Sequence, residues 1–144
     1  MKRIESSITI ECSVEEVFTT VADFNSHAVW RTGLIAATLT SEGPVQAGAT
    51  YQYSMKVMGK EIETTGQIEA YQPPKHYGWK ATSGPFPMSG NVKCEATSGG
   101  GTRVTETVEV DPGGFFKLAE PLLIKQQQSQ MQKDLQQLKA LLEK

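Results

Sequence analysis

The 144-residue chain is poor in the residues that most often carry chemistry: it has 2 cysteines and 2 histidines. Cys12 and Cys94 stand far apart, neither with a second ligand at metal spacing, and His27 and His76 are equally scattered. With no CxxC pair and no His-rich tract, neither a metal site nor a disulfide framework is expected. Both thiols read as small core residues of a reducing compartment. Positive charge is short as well. The 14 Lys and Arg stand against 16 Asp and Glu, for a net −2, without the basic excess of a nucleic-acid binder. No apolar run approaches the roughly 18 residues of a membrane helix, so no integral membrane span is expected. Residues 1–5 lack the apolar block of a signal peptide, which points to a cytoplasmic protein. No GxSxG elbow is present, and Gly99-Gly100-Gly101 is not followed by the Lys-Ser/Thr of a phosphate loop. Nucleophile-elbow chemistry and nucleotide binding lose support, and no cofactor is implied.

What is present is periodicity. The length suits one domain over residues 1–144. Ile4, Ser6, Ile8, Ile10 and Cys12 alternate with polar residues, the period of a half-buried strand. The period then changes. Ser13 with Glu16 makes a capping box, and Val14, Val17, Phe18 and Val21 form one helical stripe. Asp23 or Asn25 caps a second short helix through Trp30, which Gly33 ends. Strands follow over residues 34–41, 49–58, 61–71, 76–82, 88–97 and 102–110, separated by short turns such as Gly59-Lys60 and the break at Pro73-Pro74. Strands at such regular spacing predict an antiparallel meander. After Asp111-Pro112-Gly113-Gly114, residues 115–144 read as one long helix, kinked or starting late at Pro121. Ile124, Gln128, Met131, Leu135, Leu138 and Leu142 mark its stripe, and Gln126-Gln127-Gln128 reads as a solvated face. The fold class is α+β. A curved antiparallel sheet of about seven strands grips the long C-terminal helix, and two short helices after strand one close an end.

This order, with particular residues inside it, resembles the START-like (SRPBCC) superfamily, the helix-grip fold. It looks most like the polyketide cyclase/dehydrase and lipid transport branch. The matching pieces are Ile8-Thr9-Ile10, Ser13-Val14-Glu15-Glu16-Val17-Phe18, Val21-Ala22-Asp23-Phe24, Trp30-Arg31-Thr32-Gly33, residues 43–48, and the tail at residues 135–143. The resemblance spans nearly the whole chain and implies an internal cavity. Residues 42–49 hold only Gly43 and Gly48, short of the Gly-rich loop of the pollen-allergen relatives, so phosphate cradling there is not expected.

The inward parity of the strands supplies the candidate site. Thr64, Gly66, Gly90 and Ala96 are small inward residues, expected to leave volume opposite the helix. Trp30, Tyr53, Met55, Thr64, Tyr77 and Trp79 are candidate ligand-binding residues around it, against the alternative that the aromatics plug the core. Glu106 alternates with Val104 and Val108 on the same apolar face. A carboxylate there is either hydrogen-bonded, by Tyr53, Thr64 or a neighbouring tyrosine, or protonated, or turned to water by a bulge. It is the candidate anchor and, for an enzyme, the general acid or base. His27 and His76 are expected at the surface. Gly113 and Gly114 beside Phe115 and Phe116 form a candidate gate, with both phenylalanines as ligand contacts. The leading expectation is binding of a small, largely apolar ligand (lipid, polyketide or aromatic). A cyclase/dehydratase-type enzyme and a protein-interaction module are the alternatives. Monomer and dimer both stay open.

Overall fold

The structure, a computed structural model, describes residues 2–57, 59–84, 87–111 and 120–144, without the side chains of Val57 and Glu120. Phe115, Phe116, Gly113 and Gly114 lie outside the described residues. The elements run β1 (Lys2–Ile10), α1 (Val14–Val21), a 3-10 turn (Phe24–Ser26), α2 (His27–Trp30), β2 (Leu34–Leu39), β3 (Thr50–Val57), β4 (Lys60–Gln72), β5 (His76–Ser83), β6 (Met88–Ala96), β7 (Thr102–Val110) and α3 (Glu120–Leu142).

The seven strands form one curled antiparallel sheet in the order β1-β7-β6-β5-β4-β3-β2. Strands β2 to β7 pair with their chain neighbours, as short turns require. The first strand closes the far edge by pairing with the last, Lys2 opposite Val110 through Ile10 opposite Thr102. Alternation sets which face is buried. Along β4, Ile62, Thr64, Gly66 and Ile68 are buried while Glu61, Glu63, Gln67 and Glu69 face out. This is the α+β helix-grip arrangement.

The start of α1 follows its capping chemistry. Ser13 Oγ accepts from the Glu16 backbone N–H at 3.3 Å, and Val17, Phe18 and Val21 are buried on one face. Asp23 caps the 3-10 turn by accepting from the Asn25 N–H at 3.0 Å. Gly33, at φ +80°, then swings the chain from α2 into β2, a backbone region costly for any residue with a Cβ.

The long helix buries Leu123, Met131, Leu135 and Leu138 against the sheet. Its polar residues do more than face water. Gln128 donates to the Glu5 carbonyl at 2.7 Å and accepts from the Glu5 N–H at 3.3 Å. Lys139 donates to the Thr9 carbonyl at 2.8 Å, and Glu143 accepts from the Glu11 N–H at 2.7 Å. These side chains satisfy the free edge of β1, which blocks further strand addition there. The solvated reading of Gln126-Gln127-Gln128 is therefore corrected for Gln128, which completes a sheet edge. Two apolar clusters result. A large one runs from Ile10 and Val17 through Trp30 and Tyr77 to Leu138, and a small one is built on Ile4, Val110 and Met131.

Candidate functional site

Between the two clusters the sheet and α3 leave a cavity of ≈ 140 Å³. Its walls come from α2's exit (Arg31, Thr32), from β3 (Tyr51, Tyr53, Met55), from Thr64, Tyr77 and Trp79, from Met88, Glu106 and Val108, and from α3 (Gln127, Gln130, Met131, Asp134).

The principal polar feature is an ion pair. Glu106 is 2% exposed. Arg31 Nη1 donates to Oε1 at 3.2 Å, and Nη2 lies 2.8 Å from Oε2. The guanidinium thus meets the carboxylate as a fork, the geometry that satisfies both oxygens at once. Its other face lies over the Trp30 ring, 4.2 Å from the centroid. Burial by itself favours a neutral Arg31, but the charge and hydrogen bond of Glu106, together with the Tyr53 and Tyr77 hydroxyls, outweigh it and hold the guanidinium ionised beyond its ordinary range. Glu106 faces inward as its parity predicts, and the expected tyrosine or threonine partner is corrected to Arg31.

Arg31 is placed by its backbone. Its N–H donates to the His27 carbonyl at 2.9 Å, which ends α2. The next residue is clamped by α3: Asp134 Oδ1 accepts from the Thr32 N–H at 2.8 Å, and Gln130 donates to the Thr32 carbonyl. Burial raises the Asp134 carboxyl above its usual range, and the Thr32 hydrogen bonds oppose that rise.

His27 is 0% exposed, which corrects the expectation of a surface histidine. Its Nε2 lies 2.7 Å from the Val21 carbonyl, which only accepts, so Nε2 carries the proton. Nδ1 is then an acceptor, and the Tyr53 hydroxyl donates to it. Burial, followed by the nearby Arg31 charge, drives the imidazole down to about 3, so it is neutral at physiological pH. Burial also holds the Tyr53 hydroxyl well above its ordinary value, against the pull of Arg31. The Tyr77 hydroxyl is pushed up to about 12 for the same first reason. None of these groups changes charge near neutral pH. His76 is partly exposed and bonds Asn91 Oδ1 at 2.7 Å.

The small inward residues behave differently from expectation. Gly66 pairs with Tyr51 and Gly90 with Trp79 across adjacent strands. A Cβ at Gly66 would strike the Tyr51 ring, and one at Gly90 would lie 2.5 Å from Trp79 Cζ2. The two rings therefore occupy the space the glycines vacate, because an aromatic opposite a glycine fills the pleat. Ala96 is exposed. Only Thr64 of the four small residues lines the cavity.

Of the sequence-based candidates, Tyr53, Met55, Thr64, Tyr77, Trp79 and Glu106 meet around one space. Trp30 does not line it. The indole is 1% exposed and lies behind Arg31 as a platform. Arg31, Tyr51 and Asp134 were not singled out by sequence reasoning. Tyr51 shares the inward parity of Tyr53, which was the available signal. Arg31 leaves a helix end, and Asp134 sits on the α3 face, where no alternation marks it.

The family model described as polyketide cyclase/dehydrase and lipid transport matches residues 1–143. No curated protein matches the sequence. Among solved structures, the Zhui aromatase/cyclase from a Streptomyces species superposes with a TM-score of 0.81 at 15% identity, covering 99% of this chain and 93% of that one. A protein from Thermus thermophilus gives 0.82 at 17% identity over 96% and 95% of the two chains. A START superfamily protein from Mycobacterium smegmatis gives 0.70 at 12% identity over 94% and 98%. At such identities the likeness is one of fold. The sheet gripping α3, the cavity between them and the match along the chain lead to one conclusion: the protein belongs to the polyketide cyclase/dehydrase and lipid transport family.

Proposed function

We propose that the protein binds a small, largely apolar molecule in the cavity between the sheet and α3. The observation that carries this reading is a ≈ 140 Å³ space with mostly apolar walls and one built ion pair at its side. Close-packed interiors rarely keep such a void unless it is used. An engineered apolar cavity of about 150 Å³ takes up benzene. Of the three ligand kinds the sequence suggested, a single ring matches the volume, and a lipid chain or a multi-ring polyketide would have to extend beyond it. Covering ~200 Å² of ligand surface at roughly 25 cal/mol per Å² supplies about 5 kcal/mol before ordering costs.

Binding is favoured over acid–base catalysis by the state of Glu106. Both its oxygens are engaged by Arg31, so a proton arriving there would break the fork. Glu106 acts in this reading as a fixed counter-charge that holds Arg31 in the wall. Tyr53, Met55, Thr64, Tyr77 and Trp79 supply contact surface.

The test is an NMR titration of intact protein with methyl-labelled methionine, using methylenecyclohexane as the probe. Met55, Met88 and Met131 line the cavity, and their signals are expected to move saturably. Val108→Phe, which fills the space, should abolish those shifts. Methionine signals that stay still at probe saturation in water overturn the reading.

A further inference from the structure

The cavity wall contains polar hydrogens with nothing to receive them. Among the described residues, the Tyr51 hydroxyl and the Arg31 Nε are fully buried and have no hydrogen-bond partner. Both residues line the cavity. Tyr51 is 4% exposed, and its ring is pinned over Gly66. A buried donor without an acceptor is costly, and native folds seldom retain one unless something completes it.

The neighbouring groups are already committed. The Tyr53 hydroxyl donates to His27 Nδ1, because the Nε2 proton goes to the Val21 carbonyl. Gln130 donates to the Thr32 carbonyl. Both terminal nitrogens of Arg31 face Glu106 oxygens. The two fully buried atoms of this wall that are left without a partner, Tyr51 Oη and Arg31 Nε, each carry a hydrogen to donate.

Charge sorts the ligand further. Glu106 and Asp134 both line the cavity, and Arg31 is paired with Glu106. Lys56 also lines it but is exposed. An anion entering here loses its hydration beside two carboxylates and finds the buried cation already engaged. An organic ammonium brings donors to a wall whose unmet need is for an acceptor.

Resting on the cavity reading above, we infer that the natural ligand is an uncharged molecule of about one six-membered ring that carries a carbonyl oxygen. That oxygen accepts the Tyr51 hydroxyl proton in a hydrogen bond. Arg31 Nε–H is a second donor in the same wall, and the ring lies among Met55, Tyr77 and Met131.

A matched series of probes tests this: cyclohexanone, its hydrocarbon isostere methylenecyclohexane, cyclohexanecarboxylate and cyclohexylammonium, each titrated against the methionine methyl signals at pH 7. Cyclohexanone is expected to bind about fivefold or more tighter than the isostere, as one added hydrogen bond allows. The two ions are expected to be weaker than both neutral probes. Tyr51→Phe, which removes only an unpartnered oxygen, should lower cyclohexanone to the level of the isostere measured in the same variant. Equal binding of ketone and isostere overturns this inference and leaves the cavity reading standing. Tightest binding by either ion, or a ketone preference untouched in Tyr51→Phe, also overturns it. Failure of every neutral probe overturns both readings.

Discussion

Arg31 and Glu106 come from opposite ends of the chain's order, a short helix near the start and the last strand, and meet as a two-pronged pair at 3.2 and 2.8 Å inside the protein. Glu106 lies between Val104 and Val108 on the concave face of the sheet, where a lone carboxylate would be strongly unfavourable. The Trp30 ring backs the guanidinium. The pair fixes the loop between α2 and β2 to the sheet and forms one wall of the cavity.

Breaking that pair on one side strands a charge. Glu106→Gln and Arg31→Met are each expected to cost on the order of 3 kcal/mol, whereas the double variant should recover much of the loss. Denaturant unfolding of the four proteins measures the coupling. Additive losses would show that the two groups do not depend on each other.

The buried histidine makes stability depend on pH in a definite direction. His27 titrates near 3 in the folded protein, and the unfolded value is about 6.5. Between those values the unfolded chain binds the extra proton, so its share of stability is complete above about pH 6.5 and declines as pH falls toward 3. The slope approaches about 1.4 kcal/mol per pH unit below the unfolded value. Urea unfolding between pH 7 and 5, above the main carboxylate range, isolates it. His27→Gln should be less stable at pH 7 yet show a flatter profile across that window.

The paired aromatics and glycines give a third expectation. Gly90→Ala places a Cβ against Trp79, and Gly66→Ala places one against Tyr51 and 2.7 Å from the Lys80 carbonyl. Each is expected to destabilise by about 1–3 kcal/mol through overpacking. Gly90→Ala should also shift the tryptophan emission, since Trp79 is one of 2 tryptophans. Gly66→Ala should alter uptake of methylenecyclohexane because it moves a cavity wall.

Asp134 should respond in the opposite sense to most carboxylates. Burial raises its proton affinity in the folded state, so the ionised form costs stability as pH rises through its folded value. Asp134→Asn keeps an acceptor for the Thr32 N–H and removes the charge. Its thermal midpoint at pH 7 is expected to equal or exceed the parent's. A clear drop at pH 7 would mean that the charge itself holds the Thr32 turn.

Much of the architecture is written in local periods. Ser13, Glu16 and the Val14–Val21 stripe specify α1 because a cap and a 3.6-residue repeat act within a few neighbours. The strand limits follow from alternation and from turn residues such as Gly59. Alternation also told which side of β7 bears Glu106, since the period of two runs through Val104, Glu106 and Val108 without a bulge. The same signal reached Tyr53, Met55, Thr64, Tyr77 and Trp79, even though the β4–β5 ladder shifts register between Thr65 and Gly66 and between Ile68 and Ala70.

Other features depend on distance in space. The partner of Glu106 sits 75 positions away, and nothing near either residue names the other. His27 is polar and short-range signals place it at the surface; it is buried because the Val21 carbonyl and the Tyr53 hydroxyl converge on its two nitrogens. The glycines misled for a similar reason, because their missing side chains are replaced from the adjacent strand rather than left as space. The chain's own order thus determined its elements, their faces and its family likeness, all of which arise from interactions among near neighbours. Tertiary packing alone decided who meets whom across the sheet, and therefore where charge is neutralised, where a donor is left unanswered, and how large the cavity is.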